Sequence, residues 1–332
     1  MPKKKSVVKS AFRYTPDFEN LKISTQVVMI YTNMLFDRQA IFNELPYHVI
    51  KDPSLTKKYK NIDKKKLEAP YGSIVSIQNG NEVRGLDMRN KKKKAVPKNP
   101  IAKKTHSKKI DYFLNEITIV LYLSDNTSVN IMIFKGKFKI AGCRSDDDAF
   151  ESIMILWEYI SKIKNAYTIV DKTYKDPAFL AEVVMKNVGF RLGFQIDRYS
   201  FNVLMNNPKY SNIVYLSQYE PTGHPNVNIK MFGETPKNLS YNVLIIPAKK
   251  DSYFDLVDNN MFRQNKKKEK EKYTTAIAFS SGEIILTGRY DEKMKKAYNF
   301  LIKKVYAHKE EIEIKLEQSQ KYEISDLIDQ IN

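Results

Sequence analysis

The sequence is poor in the residues that carry most enzymatic and extracellular chemistry. Its 332 positions hold a single cysteine, Cys143, which excludes an internal disulfide and fits a reducing compartment. The four histidines, His48, His106, His224 and His308, show no metal-ligand spacing. No glycine-rich phosphate loop, nucleophile elbow or Cys–His pairing appears. The expectation is a protein that is not an enzyme and takes no cofactor, metal or small-molecule substrate. No run of 18 apolar residues is present, and the N-terminus MPKKKSVVKSAFRY lacks the apolar centre of a secretory signal. These absences point to a soluble, intracellular chain with no membrane segment. Acid is also scarce: 56 Lys and Arg face 38 Asp and Glu, a net charge of +18. Such a balance favours polyanionic partners, nucleic acid first and anionic membrane second.

What is present is a pattern written twice. Val129 to Ala149, VNIMIFKGKFKIAGCRSDDDA, returns as Thr274 to Ala297, TTAIAFSSGEIILTGRYDEKMKKA. Both copies predict strand, tight glycine turn, strand, second glycine and helix. Gly136 and Gly142 match Gly282 and Gly288 at one offset of 146 (282 − 136 and 288 − 142), the mark of a duplicated unit. Side chains alternate along a strand, so Ile133, Lys135, Lys137, Lys139 and Ala141 share one phase. Phe134, Gly136, Phe138, Ile140 and Gly142 share the other and are expected to face an apolar layer. In the second copy the open phase is Phe279, Ser281, Glu283, Ile285 and Thr287. An antiparallel sheet with helices on one side and lysines and apolar groups on the other suits a nucleic-acid backbone or groove. The competing account is an ordinary half-exposed sheet with solubilising lysines.

Residues 1–20 are polar and basic, expected as a flexible arm. Ser24–Thr32 is a predicted strand, Leu35–Leu45 a helix with Phe36, Ile41, Phe42 and Leu45 inward, and Tyr71–Gln78 a strand turned at Asn79-Gly80-Asn81. Arg89–Lys109, with ten basic residues and no acid, is expected to be a mobile basic loop. Glu116–Leu123 is the next strand. Ser145 with Asp148 resembles a capping box, so Asp146, Asp147 and Asp148 are helix-start acids rather than a metal site. Helices are expected at Phe150–Lys164, Pro177–Met185 and Asp291–His308, and a strand at Asn187–Ile196. Phe201–Met205 parallels the first short helix, Ser217–Met231 is a turn followed by a strand, and 232–272 is a second insertion. The tail 309–332 is acidic, with Ile324, Leu327, Ile328 and Ile331 at helical spacing, able to pack on the body or on a partner.

The two units resemble the TATA-box-binding protein family. Ser217–Met231, with Tyr219-Glu220-Pro221 and Pro225, is similar to that family's second stirrup loop, and Phe279–Gly288 to the strand pair that follows it. Gly136, Lys137, Gly142 and Arg144 carry a weaker likeness in the first unit. The insertions and tails have no counterpart there, an elaboration similar to versions encoded by large DNA viruses. The resemblance implies an α+β fold: a pseudo-twofold saddle, a curved antiparallel sheet with helices on its convex face, divided as residues 21–170 and 171–308. It also implies that the concave sheet lies in the minor groove of double-stranded DNA, with basic residues on phosphates and aromatic wedges prying open base steps. Phe279 occupies one wedge position, His224 its partner, Ile133 the first unit's, and Tyr71 the fourth, where gapless counting gives Glu116. Lys135, Lys137, Lys139, Arg144, Asn187, Lys230, Ile285 and Thr287 are the implied groove or phosphate contacts. Glu220 matches an acidic residue that meets a second transcription factor.

Three functions follow. The first is a promoter-binding transcription initiation factor that recruits RNA polymerase through a second general factor, in the nucleus or in a viral factory in the host cytoplasm. The second is an architectural or packaging DNA binder with little sequence preference, favoured by the altered wedges and lysine loops. The third is a protein-interaction module that kept the fold and lost DNA.

Overall fold

A computed structural model describes residues 16–49, 69–86, 115–123, 127–170, 175–221, 224–231, 242–245, 255–257 and 273–315. The expected basic arm up to Thr15, the lysine-rich loop 89–109, most of the 232–272 insertion and the tail beyond Lys315 lie outside the described residues. The chain divides into two compact units: residues 26–184 with 240–265, and residues 1–25 with 185–239 and 266–332. Both are antiparallel strands with helices packed on one face, an α+β architecture.

The first unit contains most of β1 (Ile23–Thr32), β2 (Met34–Phe36), α1 (Arg38–Glu44), β3 (Ile74–Asn79) and β4 (Glu82–Gly85). It continues through β5 (Ile117–Tyr122), β6 (Ser128–Ile133), β7 (Lys137–Cys143), α2 (Asp146–Ile160) and β8 (Tyr167–Ile169). Its main sheet runs β1-β7-β6-β5-β3-β4, and β2 pairs with β8 apart from it. The strand β9 (Phe179–Arg191) follows; its first residues pair with β12 (Asn242–Ile245), which in turn pairs with β13 (Asp255–Val257). The second unit holds the later part of β9, α3 (Arg198–Met205), β10 (Val214–Glu220), β11 (His224–Met231), β14 (Thr274–Phe279), β15 (Glu283–Gly288), α4 (Asp291–Ala307) and α5 (Lys309–Ile312). Its sheet runs β10-β11-β14-β15-β9.

Local chemistry explains several boundaries. The short helix begins at Arg38 rather than Leu35, because Asp37 in extended conformation accepts a hydrogen bond from the Ala40 N–H and Phe36 is held in β2. Phe36, Ile41, Phe42 and Leu45 are all buried, as the apolar pattern required. Ser145 and Asp148 form the capping box, starting α2 at Asp146. Asp146 also accepts from the buried Gln26 amide at 3.0 Å. The helix expected at Pro177–Met185 is instead the start of β9, which ends at Arg191 short of the expected Ile196. Its β-branched and apolar run pairs with β12 at Phe179–Ala181 and with β15 at Lys186–Arg191. Ser217–Met231 is two strands, not one: β10 and β11 form a hairpin.

Each helix layer closes on its own core. In the first unit Phe36, Phe138, Phe179, Trp157 and Tyr167 form a ladder of rings, with successive centroids 4.7, 6.2, 5.2 and 4.9 Å apart. Burying each large side chain stabilises the unit by roughly 1.5–3 kcal/mol. In the second unit Tyr298 of α4 stacks edge-on to Phe190 at 4.8 Å, above Val227, Ile229, Ile284 and Leu286. Cys143 is fully buried in the first core, and burial, followed by the nearby Asp148 charge, pushes its thiol up to about 12.

The same bonds are made twice. Thr32 and Leu192 donate to Gly136 and Gly282. Asp37 and Asp197 donate to Ala166 and Ile312, and each caps its helix through its carboxylate. Register shifts interrupt β3 at Ile74/Ser76 and β10 at Val214/Leu216. Of the turn glycines, Gly282 is the most constrained. Its φ is +80°, and a Cβ there would stand 1.9 Å from the Phe194 carbonyl oxygen. Gly282→Ala is expected to lower stability by about 2 kcal/mol or more. Gly189→Ala, where a Cβ meets nothing within 4 Å, should cost less than about 1 kcal/mol. Urea unfolding of the two variants checks the contrast.

Candidate nucleic-acid interface

Opposite the helices, each sheet presents a second face whose residues follow from register. In the second unit Lys230, Thr275, Thr287 and Asn187 form one cross-strand row. Asn228, Ile277, Ile285 and Gly189 form the next. Asn226 and Phe279 stand opposite each other at the hairpin end. The alternate residues Val227, Ile229, Ala276, Ala278, Ile284 and Leu286 are fully buried against the helices. The sequence-predicted residues Phe279, Ile285, Thr287, Lys230 and Asn187 therefore share one open face. The Thr287 hydroxyl donates to the Asn187 side-chain oxygen at 2.7 Å. That bond fixes the amide and leaves its nitrogen, a double donor, for the open side.

In the first unit Met29, Lys139, Met132 and Thr118 form a row on the corresponding face, and Tyr31 stands beside Lys137. Lys135 lies in the hairpin turn and is exposed, and Arg144 is exposed between β7 and α2. Glu116, just before β5, is pushed above its ordinary pKa by desolvation, against the pull of the Lys139 charge and a Thr118 hydrogen bond. Toward the β3 edge this face is closed by a small apolar cluster of Val75, Leu86, Val120 and Tyr122. The Leu86 N–H donates to the Val75 carbonyl at 2.8 Å, which seats the cover.

Two of the expected wedges are corrected. Ile133 is fully buried in the first core, between Ile117 and Phe138 across the strands, so it cannot stand on the open face. Tyr71 donates its hydroxyl to Glu151 of α2 and so belongs to the helix side. That carboxylate pushes the phenol up to about 12. The side chains of His224 and Glu220 lie outside the described residues.

The residue missed by sequence counting is Phe134. The last paired residues are Ile133 and Phe138 in the first hairpin, and Ala278 and Ile284 in the second. Four residues separate the first pair and five the second. One extra residue changes the phase, so β7 and β15 match at an offset of 146 while β6 and β14 match at 145 (279 − 134). Phe134, not Ile133, is the counterpart of Phe279. It is half-buried, with the Lys137 ammonium 5.7 Å from its ring centroid. The expected assignment of Phe134 to the apolar layer is thereby overturned. The available signal was turn length: Lys135-Gly136 against Ser280-Ser281-Gly282.

The structure thus defines a duplicated α+β protein with two open sheet faces, each ending in a phenylalanine at the same hairpin position. No family model matches the sequence. Uncharacterized protein 335L of Invertebrate iridescent virus 6 is 26% identical over 216 residues, 59% of this chain and 61% of that protein. The chain therefore matches about three fifths of that relative's length. Among solved structures, Methanococcus jannaschii TBP is similar at 12% identity with a TM-score of 0.40, over 86% of this chain and 96% of that one. No helix among the described residues is long and apolar enough to cross a membrane.

Two outcomes test the face assignments. Ile133→Ala should cost about 2–5 kcal/mol in urea unfolding and Phe134→Ala less than about 1 kcal/mol, because only the first opens a core cavity. Glu116 should titrate above the ordinary glutamate range by NMR, and Lys139→Met should move it higher still, since the lysine charge is a lowering influence. A raised carboxyl favours the fold when protonated, so its contribution becomes more adverse as pH rises through this range.

Proposed function

We propose that the open sheet faces bind double-stranded DNA in the minor groove, and that the protein acts as a TATA-box-binding-like transcription initiation factor of a large DNA virus. The observation that carries the reading is the recurrence of an accessible phenylalanine, Phe134 and Phe279, at one hairpin position of each unit in a chain of net charge +18. Apolar side chains at such tips can enter between base steps, and the cost of unstacking is offset by the contact area that a bent duplex gains. The rows next to each tip suit the groove floor. Ile277, Ile285 and Met132 present apolar surface, and Asn187 offers donors to the acceptors that every A·T pair shows in the minor groove.

Lys137, Lys230 and Arg144 serve as phosphate contacts in this reading, and Lys135 at the turn adds a fourth cation. Sequence preference then arises from how easily a site deforms more than from base-edge contacts. The saddle arrangement, the second factor that would meet Glu220, and the RNA polymerase are further parts of the same proposal, resting on the family resemblance of the stirrup and its following strands.

Lys139 favours a second reading. Its charge sits in the groove-facing row of the first unit beside Met29 and Met132, where an apolar floor would be needed for a tight fit. A lysine-driven architectural binder tolerates that placement. Fluorescence-detected binding and end-to-end distance on TATA-containing and G·C-rich duplexes, across a salt series, separate the two. Promoter recognition gives strong preference with a large bend, reduced by Phe279→Ala and by Phe134→Ala with less effect on the salt slope. Tight binding with a steep salt slope, no preference and no bend leaves the architectural protein. Absence of duplex binding at moderate salt overturns both and leaves an interaction module.

A further inference from the structure

The duplication supplies its own control for what the fold requires. The helices α1 and α3 match residue for residue: Asp37 with Asp197 as N-caps, Arg38 with Arg198, and Ile41 with Phe201 in their cores. On the outward side, α1 carries Gln39 and Asn43, whose amides bond each other at 3.0 Å. At the same two positions α3 carries Tyr199 and Val203, 67% and 53% exposed. Since the fold is made equally well with a polar pair, the apolar pair on α3 is not there for folding.

The chain itself ends its described course next to this surface. The Asp197 N–H donates to the Ile312 carbonyl at 2.7 Å, and the Ile314 N–H to the Gln195 carbonyl at 3.0 Å. The 17 residues after Lys315 lie outside the described residues, and they leave from the N-terminal end of α3. Their sequence places Ile324, Leu327, Ile328 and Ile331 at i, i+3, i+4 and i+7, one apolar stripe of a helix. The rest of the segment holds Glu317, Glu323, Asp326 and Asp329 against one lysine, Lys321. Arg198 opens α3 with its guanidinium over the Tyr219 ring at 5.2 Å, and Lys309 sits over the Phe194 ring at 5.0 Å while pairing with Glu313 at 3.4 Å.

We propose that the C-terminal segment 316–332 folds back as an amphipathic helix on the outer face of α3, its isoleucine and leucine stripe covering Tyr199 and Val203. The lengths agree. The eight residues of α3 span about 12 Å, and a helix from Glu323 to Ile331 spans about 13 Å. The seven residues from Leu316 to Tyr322 reach up to about 23 Å, more than enough to turn the segment back. A tether this short holds the segment at millimolar effective concentration, which lowers the affinity that contacts to Tyr199 and Val203 must supply.

Hydrogen–deuterium exchange on the full chain tests this, with a synthetic peptide of residues 316–332 as reference. Amides of Ile324–Ile331 should exchange at least tenfold more slowly in the protein than in the peptide, equally at low and high protein concentration. Tyr199→Gln with Val203→Asn, the residue types that the first unit carries, should remove that protection, and Ile328→Gln should do the same from the other side. Gln39→Ala should leave it unchanged. Exchange at the peptide rate in the unmodified chain overturns the proposal. So does protection that survives the α3 double substitution, or protection that appears only at high concentration, which would mean docking on a second copy.

Discussion

In a β-hairpin the number of residues in the turn decides which face each side chain of the incoming strand occupies, because the side-chain period is two and register is locked by the ladder. The candidate interface depends on that parity. With two residues between Phe134 and Lys137, and three between Phe279 and Glu283, both hairpins deliver a phenylalanine to the open face and an aliphatic residue to the core. The buried residues enforce the choice. Ile133, Phe138 and Ile140 on one side, and Ala278, Ile284 and Leu286 on the other, are all fully buried. A slip of one residue would expose them and bury Lys137 or Glu283 without partners, a cost of several kcal/mol per strand.

That constraint also explains how far the sequence was legible. Side-chain alternation, the glycine pairs and the capping box gave the strands of both hairpins, the starts of α2 and α4, and the open-face positions of Thr287, Ile285 and Lys139, whereas α1 and α3 both start three residues from the expected position. Counting at one fixed offset failed where a single extra serine changes the turn, and so it named Ile133 in place of Phe134. Tyr71 was misplaced for a related reason. Its Pro-x-Gly context resembles that of the stirrup, yet Gly72 donates to the Tyr122 carbonyl and Tyr159 to the Gly72 carbonyl, holding the turn on the helix side. Short-range motif likeness does not encode which side of a sheet a turn lies on. The misread strand at Phe179 is a case of pairing overriding local pattern, since the run from Phe179 to Val184 also suits a buried helix.

The two units have the same bonding plan but have not kept equivalent faces. In the first, β4 and the Leu86 cover close the open face near β3, and the remaining area carries Lys137 and Lys139. In the second, the matching edge keeps Leu216 and Tyr215 exposed, with the Tyr215 ring stacked on Tyr273 at 4.9 Å, and the central rows are nearly uncharged apart from Lys230. Asn206 and Asn202 hold that edge: the Asn206 side-chain amide bonds both the Ser217 carbonyl and the Ser217 N–H, and the Ser217 hydroxyl donates to the Asn202 side-chain oxygen.

The same logic reaches the helix layer. Where a fold is built twice in one chain, a position that is polar in one copy and apolar and exposed in the other has been released from structural duty, because the shared core, caps and hydrogen bonds are satisfied in both. Gln39 and Asn43 against Tyr199 and Val203 is such a difference, with the flanking Asp and Arg unchanged. Exposed apolar side chains on an eight-residue helix add nothing to its own stability, and their place beside the exit of a segment with an apolar stripe and an acidic balance ties the outer face of α3 to the proposed occupant instead of to the core.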